Sequence, residues 1–421
     1  MVPGPGGEAG STAGAGTIRR WQAPVLASLL ALVGVSGACG SHESDPGKAA
    51  TVRDSAGLRI VESNRTGRGL EGMWRVDPDP LLEFGSDFDG GTERFQDVRG
   101  LAFNGSGELV VVDAGVGLLI RIDRRGRQVR EERLAGNGSP GLLRPRLLGV
   151  LRDGSAVLWD DATAKLLVGR RTASLSQVDA PGLVRDPPPI PWGVFPDGQL
   201  LASLPSPRFG WPVDGMAETD TLSLWRIDPG SGDSTLVVQR PGRSWLMEGG
   251  RRWPVPFTLT PPVATYRGGV VVTGGPEAEV DFLTLDGSLR LRSILGYPKR
   301  QVTEEDMDRS EAFLLRGATS EQEKEAVRLH LGSMPVPPYL PFFDQIVISR
   351  EGEVWLRHTL VDPLSESLWS VLDPRGHLLG EIALPRRFQL FDVSGDRLVG
   401  IGWNALLIET IRVHRVQRGA G

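Results

Sequence analysis

Cysteine is nearly absent, because Cys39 is the only one among 421 residues. A single thiol excludes an internal disulfide framework and any metal site built from several cysteines. Histidine is also scarce, and no two histidines stand in an H-x-x-x-H or HExxH spacing, so the sequence predicts no histidine zinc site. The five histidines are His42, His330, His358, His377 and His414. The sequence also contains no G-x-S-x-G nucleophile elbow.

An excess of positive charge is missing as well. Lys and Arg number 47 against 52 Asp and Glu, which gives a formal net charge of −5 at pH 7. Nucleic-acid binding needs a basic face, so no nucleic-acid partner is predicted. What the chain has in quantity is turn formers, with 55 glycines and 32 prolines. Together with 24% charged residues, they indicate many turns in a folded protein rather than disorder.

The N-terminal region has the three-part form of a secretory signal. Arg19 and Arg20 precede an apolar run, Ala23 to Val35, and small residues follow directly before Cys39. The apolar run is shorter than the roughly 20 residues of a spanning helix. The cysteine after small residues resembles the lipobox of bacterial lipoproteins, in which the cysteine is acylated and becomes the new N-terminus. An ordinary signal peptide or an uncleaved membrane anchor are the alternatives.

The lipobox resemblance implies a domain organisation. Residues 1–38 would be a lipoprotein-type signal peptide, residues 39–50 a flexible tether, and residues 51–418 the folded part. Lipidation at Cys39 would hold the folded part, as a monomer, at a membrane of the bacterial envelope, facing the periplasm or the cell surface. No later segment is apolar enough to span a membrane.

A strand-and-turn unit recurs through the folded part. The stretch Gly100 to Arg127 reads as strand, glycine turn, strand, loop, strand and Asp-x-x-Gly turn. Six such turns carry a glycine, and three of the five intervals between them are about 45 residues, a period typical of β-propeller blades. The sequence therefore predicts an all-β fold, a six-bladed β-propeller, with two separate β domains as the alternative. The six glycines are Gly107, Gly154, Gly198, Gly268, Gly352 and Gly395.

The longest interval contains a predicted insertion at residues 300–338. Thr303 with Asp306, and Ser320 with Glu323, have the spacing of capping boxes, and Gly332 fits a helix stop. The sequence predicts two short helices between blades four and five, followed by a Pro-rich return. At the other end of the fold, Leu58–Ser63 or Met73–Gly85 is expected to pair with Glu409–Val416 and so cover a sheet edge.

The stretch Gly136–Gly141 spells G-x-G-x-x-G, the pattern of a dinucleotide-binding loop. That site needs a helix directly after the last glycine, but Pro145 would break one and a strand-like run follows. A second glycine-rich stretch, Phe84–Val98, precedes its own strand and turn at a similar distance. The pattern therefore indicates a connection between blades, and no nucleotide cofactor is predicted.

These repeats carry a family resemblance. The stretch Asn104–Arg127 resembles NHL-type six-bladed β-propellers. The chain from residue 52 to 417 resembles the lipid-anchored six-bladed propeller proteins of Gemmatimonadota and related soil bacteria, on Asp54–Ser63, Pro337–Arg357 and Ile408–Val416. The resemblance implies the fold and the anchor, and it brings no established substrate with it.

Tryptophan is the most suggestive residue type for a ligand site. Those within the repeats, such as Trp159, Trp355 and Trp369, are expected to pack between blades. Others stand in or near the long loops, where arginines accompany them, and these two residue types are the usual anchors of interfaces. The possible ligand-face residues are Trp192, Trp211, Trp245 and Trp253, although packing of the loops onto the disc would explain them too.

These features are compatible with two different functions. The main interpretation is an exported binding or interaction scaffold for an unknown protein or small molecule, without catalysis, cofactor or metal. A sensor or assembly component of an envelope complex is a variant of it. The alternative is a Ca²⁺-dependent hydrolase of the lactonase or esterase type, similar to calcium-bearing six-bladed lactonases, with oxygen ligands in the central channel. Its candidate ligands are Asp97, Asp344 and Asp392, with Asp113, Asp160 and Asp161 at strand ends.

Overall fold

The structure is a computed structural model that describes residues 50–63, 73–85, 95–134, 141–171, 174–204, 215–248, 251–266, 268–404 and 408–418. Residues Asp45–Gly421 form one compact unit. The predicted signal peptide, Cys39, most of the predicted tether and Trp211 lie outside the described residues, as does the glycine-rich stretch except Gly141.

Strands dominate the first half of the described chain. They are β1 (Ala50–Ser55), β2 (Leu58–Ser63), β3 (Met73–Val76), β4 (Leu82–Phe84), β5 (Val98–Phe103), β6 (Leu109–Asp113), β7 (Leu118–Ile122), β8 (Gln128–Arg133), β9 (Pro145–Val150), β10 (Ala156–Asp160), β11 (Lys165–Gly169), β12 (Ser176–Gln177), β13 (Ile190–Val194) and β14 (Leu200–Ser203). A short 3-10 helix, Pro181–Leu183, lies between β12 and β13.

The second half continues in strands around two helices. The elements are β15 (Ala217–Ile227), β16 (Ser234–Glu248), β17 (Arg251–Pro254), β18 (Val263–Tyr266), β19 (Gly269–Thr273), β20 (Glu279–Leu283), β21 (Leu289–Leu295), α1 (Glu304–Gly317), α2 (Glu321–Ser333), β22 (Phe343–Ile348), β23 (Val354–His358), β24 (Ser367–Leu372), β25 (Leu378–Leu384), β26 (Phe388–Ser394), β27 (Arg397–Trp403) and β28 (Glu409–Gln417).

Neighbouring strands pair into antiparallel meanders. Strands β5–β8 and β9–β12 each form a four-stranded sheet, and β13–β17 form a five-stranded one. Strands β18–β21 are extended by β2, which pairs parallel to β21, and by β1 outside it. A nine-stranded sheet holds two meanders, β22–β25 and β26–β28, which are joined through β3. The described chain is therefore all-β apart from the helices.

The expected pairing of the two ends of the fold is confirmed. Strand β4 pairs antiparallel with β28, with Phe84 opposite Ile411, and β3 pairs with the end of β28, with Val76 opposite Val416. The earlier segment Leu58–Ser63 instead joins β21, more than 200 residues later in the chain. Strand β28 therefore gains a partner on its outer side, which covers the edge that would otherwise be exposed.

The first strand of each meander contacts the first strand of the next. Strand β5 contacts β9, β9 contacts β13, β13 contacts β18, β18 contacts β22, β22 contacts β26, and β26 contacts β5 again. We call these six strands the inner strands. Their contacts close a ring, which places a cavity inside it.

Apolar side chains fill the space between consecutive meanders. One core cluster joins Trp355 and Trp369 with Phe388 and Leu398, and another joins Val111 and Ile120 with Ile411. Further clusters bridge each remaining pair of consecutive meanders. Since every sheet buries both faces against a neighbour, each strand-rich unit depends on the next for its core.

The recurring turns have a common local geometry. The backbone N–H groups of Gly107 and Gly154 donate to the carbonyls of Asn104 and Leu151, at 2.9 and 3.0 Å. Both glycines have φ near +80°, at 77° and 83°, a conformation that only glycine adopts without strain. Gly198 and Gly352 repeat the same hydrogen bond. Four of the six predicted turns therefore link an inner strand to the second strand of its meander in the same way.

The two helices lie between β21 and β22. Helix α1 begins after Thr303, whose side chain forms a capping box with Asp306, and α2 begins after Ser320, which does the same with Glu323. Each box satisfies backbone N–H groups that a helix start leaves unpaired. Within the described parts of the chain, no helix has the length and apolar character needed to cross a membrane.

Candidate functional site

A cavity of about 390 Å³ lies inside the ring of inner strands, and all six contribute to its wall. Its lining includes the last residues of these strands and the residues that follow them. We call it the axial cavity. Because every meander supplies wall residues, groups that are far apart in the sequence meet there. The polar ones include Arg99, Arg152, Thr265, Tyr266, Arg350 and Asp392.

Asp392 is the acidic group of the axial cavity. It lies on β26 and is half-buried in the wall. Its Oδ2 accepts the backbone N–H of Phe103 at 2.7 Å, and its Oδ1 accepts the N–H of Val393 at 2.8 Å. Loss of hydration raises the pKa of Asp392 to about 7, although both hydrogen bonds and the nearby Arg350 act in the opposite direction. The carboxyl group therefore exchanges its proton near neutral pH.

Arg350 supplies a positive charge beside Asp392. Its Nη1 donates to the carbonyl of Phe103 at 3.0 Å, and its backbone N–H donates to the carbonyl of Val393 at 3.1 Å. Both contacts hold Arg350 to the same two segments that hold Asp392. The guanidinium lowers the pKa of Asp392 but forms no ion pair with a carboxylate among the described residues. It is therefore available to an anionic group in the cavity.

The other polar residues that line the axial cavity differ in whether they already bind a partner within the fold. Arg99 donates to Asp97 at 2.9 Å and lies 3.5 Å from Asp161, so its charge is neutralised. Arg152 is exposed. The Thr265 hydroxyl donates to the carbonyl of Val194 at 3.2 Å. Asp392 and Arg350 thus stand out as the carboxyl group of the lining and a half-buried guanidinium without an ion pair among the described residues.

The carboxylates predicted as calcium ligands do not converge. Asp97 precedes β5 and Asp344 lies at the start of β22, whereas Asp392 lies toward the end of β26. Asp344 pairs instead with Arg357 at 2.6 Å, and burial raises its pKa. Within the described residues, no group of three or more His, Cys, Asp or Glu side chains could hold a metal ion. These residues do not fit the predicted Ca²⁺ site.

The strand-end aspartates have a structural role. Asp113 is fully buried and accepts the N–H groups of Gln96 and Gly115 at 3.0 and 2.9 Å. Asp160 does the same one meander later, accepting from Leu143 and Arg144 at 3.1 and 2.7 Å. Each carboxylate ties the loop before an inner strand to the end of the second strand. Asp161 pairs with Arg146 at 2.9 Å.

The structure separates the predicted ligand-face tryptophans. Trp192 packs on the core of the third meander, and its Nε1 donates to Ser203 at 3.1 Å. Trp245 donates to Asp220 at 2.5 Å. Trp253 faces the helices, with its ring centroid 4.0 Å from that of His330. None of these three lines the axial cavity.

Arg350 is a site residue that the sequence did not indicate. It stands in the turn between β22 and β23, where an arginine looks like an ordinary surface residue. Only the ring contact between β26 and β5, together with the position of Phe103, brings it next to Asp392. The one residue of this site that the sequence did indicate was Asp392, which was predicted to lie near an inner strand.

Comparison with known proteins found similar solved structures but no matching family. No protein-family model and no curated protein matches the chain. A member of the DUF4221 family from Bacteroides vulgatus is 10% identical, covers 83% of this chain and 99% of its own, and has a TM-score of 0.46. Virginiamycin B lyase from Staphylococcus aureus is 10% identical, with coverages of 80% and 98% and a TM-score of 0.39. A gluconolactonase from Xanthomonas campestris is 14% identical, with coverages of 77% and 88% and a TM-score of 0.39.

These structures are β-propeller-like proteins, and this chain is similar to them in fold. They also correct one prediction. The interpretation of the chain as a protein without enzymatic activity is wrong as an inference from its fold, because the similar structures include a lyase and a gluconolactonase. The likeness itself transfers neither activity to this chain, so the activity must be argued from the axial cavity.

Proposed function

We propose that the chain is a hydrolase of the lactonase or esterase type that acts on small anionic substrates in the axial cavity. The observation that carries the proposal is the position of Asp392 beside Arg350 in this cavity, with the pKa of the carboxyl group near 7. A general base works best when its pKa lies near the working pH. The proposal takes the place of the binding-scaffold interpretation.

Each group has a definite role in this reaction. Asp392 as a carboxylate takes a proton from a water molecule while the water oxygen bonds to the carbonyl carbon of the substrate. The bond from that carbon to the leaving oxygen then breaks, and Asp392 returns the proton to the leaving oxygen. Arg350 binds a carboxylate or the developing oxyanion, and in a site with little water such a charge is worth more than in solution. The chemistry requires no group beyond these side chains and water.

The test is a panel of small carboxylate-bearing esters and lactones, with acid release followed at constant pH. Asp392→Asn should lower kcat by about 10² to 10⁴, since that is the usual contribution of general base catalysis. Asp286→Asn is the matched control, because Asp286 lies in an exposed turn and does not line the cavity. Absence of hydrolysis across the panel, or equal rates in the two variants, would reject the proposal.

The architecture supports a finer description of the fold. We infer that the six meanders are six blades of one propeller and that α1 and α2 are inserted between the fourth and fifth. The ring of contacts among the inner strands and the core clusters between consecutive meanders support this inference. An experimental structure with five or seven blades would contradict it.

We also propose export and lipid anchoring through Cys39, on the strength of the signal-like N-terminus. The protein would then be a monomer held at a membrane, without a nucleic-acid partner. Mass spectrometry of the N-terminal peptide should show a diacylglyceryl group on Cys39, and Cys39→Ser should release the protein from the membrane fraction. An unmodified cysteine on a membrane-bound chain would count against the lipobox interpretation.

A further inference from the structure

A second cavity, of about 980 Å³, lies between the helices and the segment that follows β17. We call it the helix groove. It shares no lining residue with the axial cavity. Its size is at the upper end of the range of roughly 300–1,000 Å³ that is typical of ligand pockets. Apolar side chains form much of its wall, among them Pro256, Leu259, Leu314, Ala326, Val327 and Leu331.

One end of the helix groove is held together by side-chain packing. The ring of Trp253 packs at a tilt of 51° against that of His330 on α2, and the Nδ1 of His330 lies 3.1 Å from a carboxylate oxygen of Glu248 on β16. Leu246, Val255 and Met334 form a buried cluster beneath them. The helices are therefore fixed to β16 and β17, and the groove is part of the folded structure.

Arg243 is the one arginine among the described residues that line the groove, and no lysine lines it there. Its Nε donates to the carbonyl of Thr258 at 3.1 Å, and its guanidinium lies 5.9 Å from the centre of the Trp245 ring. No carboxylate forms an ion pair with it within the described parts of the chain. A half-buried guanidinium without a counter-ion favours an anionic ligand group.

The acidic residues of the groove already have partners. Glu248 accepts from His330, and the carboxylate of Glu323 accepts the N–H groups of Thr319 and Ser320 at the start of α2. Arg243 and Glu248 stand five residues apart on β16, which separates them by roughly 17 Å along the strand. The groove thus has an apolar wall, two carboxylates that are hydrogen-bonded within the fold, and a guanidinium at Arg243 that forms no ion pair among the described residues.

We propose that the helix groove binds a single-chain amphiphile with a carboxylate head, such as a long-chain fatty acid. The carboxylate would bind the guanidinium of Arg243, and the hydrocarbon chain would lie along the apolar wall between α2 and Pro256. This binding site is independent of the proposed hydrolase activity.

The test is calorimetric titration of the full chain with myristate below its micelle concentration. Myristate should bind saturably, and laurate, which is two methylenes shorter, should bind about fifteenfold more weakly. Methyl myristate should bind at least tenfold more weakly than myristate, because it lacks the charge that Arg243 recognises. Arg243→Gln should remove most of that preference, while Arg309→Gln, which lies on α1 outside the groove, should keep it.

A matched pair of alanines tests the position of the hydrocarbon chain. Ala326 lines the groove on α2, and Ala312 is equally exposed on α1 but does not line it. Ala326→Phe should weaken myristate binding by tenfold or more, and Ala312→Phe should leave it unchanged, with both variants checked for unaltered thermal unfolding. Equal binding by the two variants would overturn the proposal. So would an unaltered charge preference in Arg243→Gln, binding to anionic phospholipid vesicles alone, or a groove occupied by a second copy of the chain at high concentration.

Discussion

The carboxylate of Asp392 accepts a 2.7 Å hydrogen bond from the backbone N–H of Phe103, 289 residues away in the sequence. The bond joins the last meander to the first, at the place where β26 contacts β5 and the ring closes. Arg350 donates to the carbonyl of the same Phe103. The residues proposed for catalysis are therefore also residues that connect the ends of the fold, so changes to them must be judged by measurements that separate stability from activity.

Asp392 should make stability depend on pH in a definite direction. In the folded protein it keeps its proton up to about pH 7, whereas in an unfolded chain it loses it near about pH 4. Between these values the folded state binds more protons, so the free energy of unfolding falls as the pH rises through this window. Asp392→Asn removes this contribution. Its Tm relative to the wild type should therefore rise from pH 5 to pH 8.

The quantity to compare is the difference in Tm between Asp392→Asn and the wild type, measured at pH 5 and at pH 8. The amide also changes the hydrogen bonds to Phe103 and Val393, but it does so at every pH. Asp286→Asn supplies the control, since it should show a constant difference from the wild type. A constant difference for Asp392→Asn as well would show that the carboxyl group has an ordinary pKa.

Removal of the positive charge of Arg350 should raise the pKa of Asp392 further. The guanidinium favours the ionised carboxylate, so Arg350→Gln should shift the titration of Asp392 to higher pH. Carbon-13 NMR of the aspartate carboxyl groups, assigned with Asp392→Asn, measures the shift. Arg152→Gln is the control, because Arg152 also lines the cavity but is exposed and is not among the main charges that act on Asp392. A shift of equal size in both variants would contradict the specific pairing.

Gly100 should tolerate no side chain. A Cβ at this position on β5 would lie 2.2 Å from the Cβ of Leu147 on β9, so an alanine would force two inner strands apart. Overpacking of this kind costs about 1–3 kcal/mol of unfolding free energy. Gly332→Ala is the matched control, since nothing lies within 4 Å and α2 should gain about 0.5–1 kcal/mol from the alanine. Denaturant unfolding of both variants measures these changes. Equal free energies of unfolding would contradict the close contact between Gly100 and Leu147.

Trp253 should hold α2 to the sheet. Its ring packs against His330 and against the cluster of Leu246, Val255 and Met334. Trp253→Ala should cost about 2–4 kcal/mol and speed amide hydrogen exchange throughout α2. Trp192→Ala removes an equally half-buried tryptophan from the third meander, so it should destabilise without a selective effect on α2. Unchanged exchange in α2 of Trp253→Ala would show that other contacts hold the helix.

The parts of this fold that were predictable from the sequence depend on local chemistry. Glycines such as Gly107 and Gly154 mark turns because those turns need positive φ, and strands follow them with regular spacing. Thr303 and Ser320 mark the first turns of the helices because their hydroxyl groups accept backbone N–H groups there. Such signals involve residues close together in the chain, so one sequence is enough to read them.

The sites were less predictable because they depend on distant contacts. Nothing in Ser349 to Gly352 distinguishes Arg350 from a surface turn residue, and its role depends on Phe103 and Asp392. The same holds for β2, whose parallel partner β21 cannot be inferred from Leu58–Ser63 alone. Trp253 was predicted as a ligand-face residue because of its residue type. The apolar wall of the helix groove was not evident from the sequence, because α2 carries many charged residues.

The pairing of β1 and β2 has a mechanical consequence. Among the described strands, β1 is the outermost of its sheet and pairs there with the adjacent β2 alone. A force transmitted through the N-terminus reaches the described fold at Ala50, on the rim and far from the inner strands. The antiparallel hydrogen bonds between β1 and β2 would open one after another under such a load. A tethered molecule could thus yield at this hairpin under tension while the ring of inner strands and both cavities stay intact.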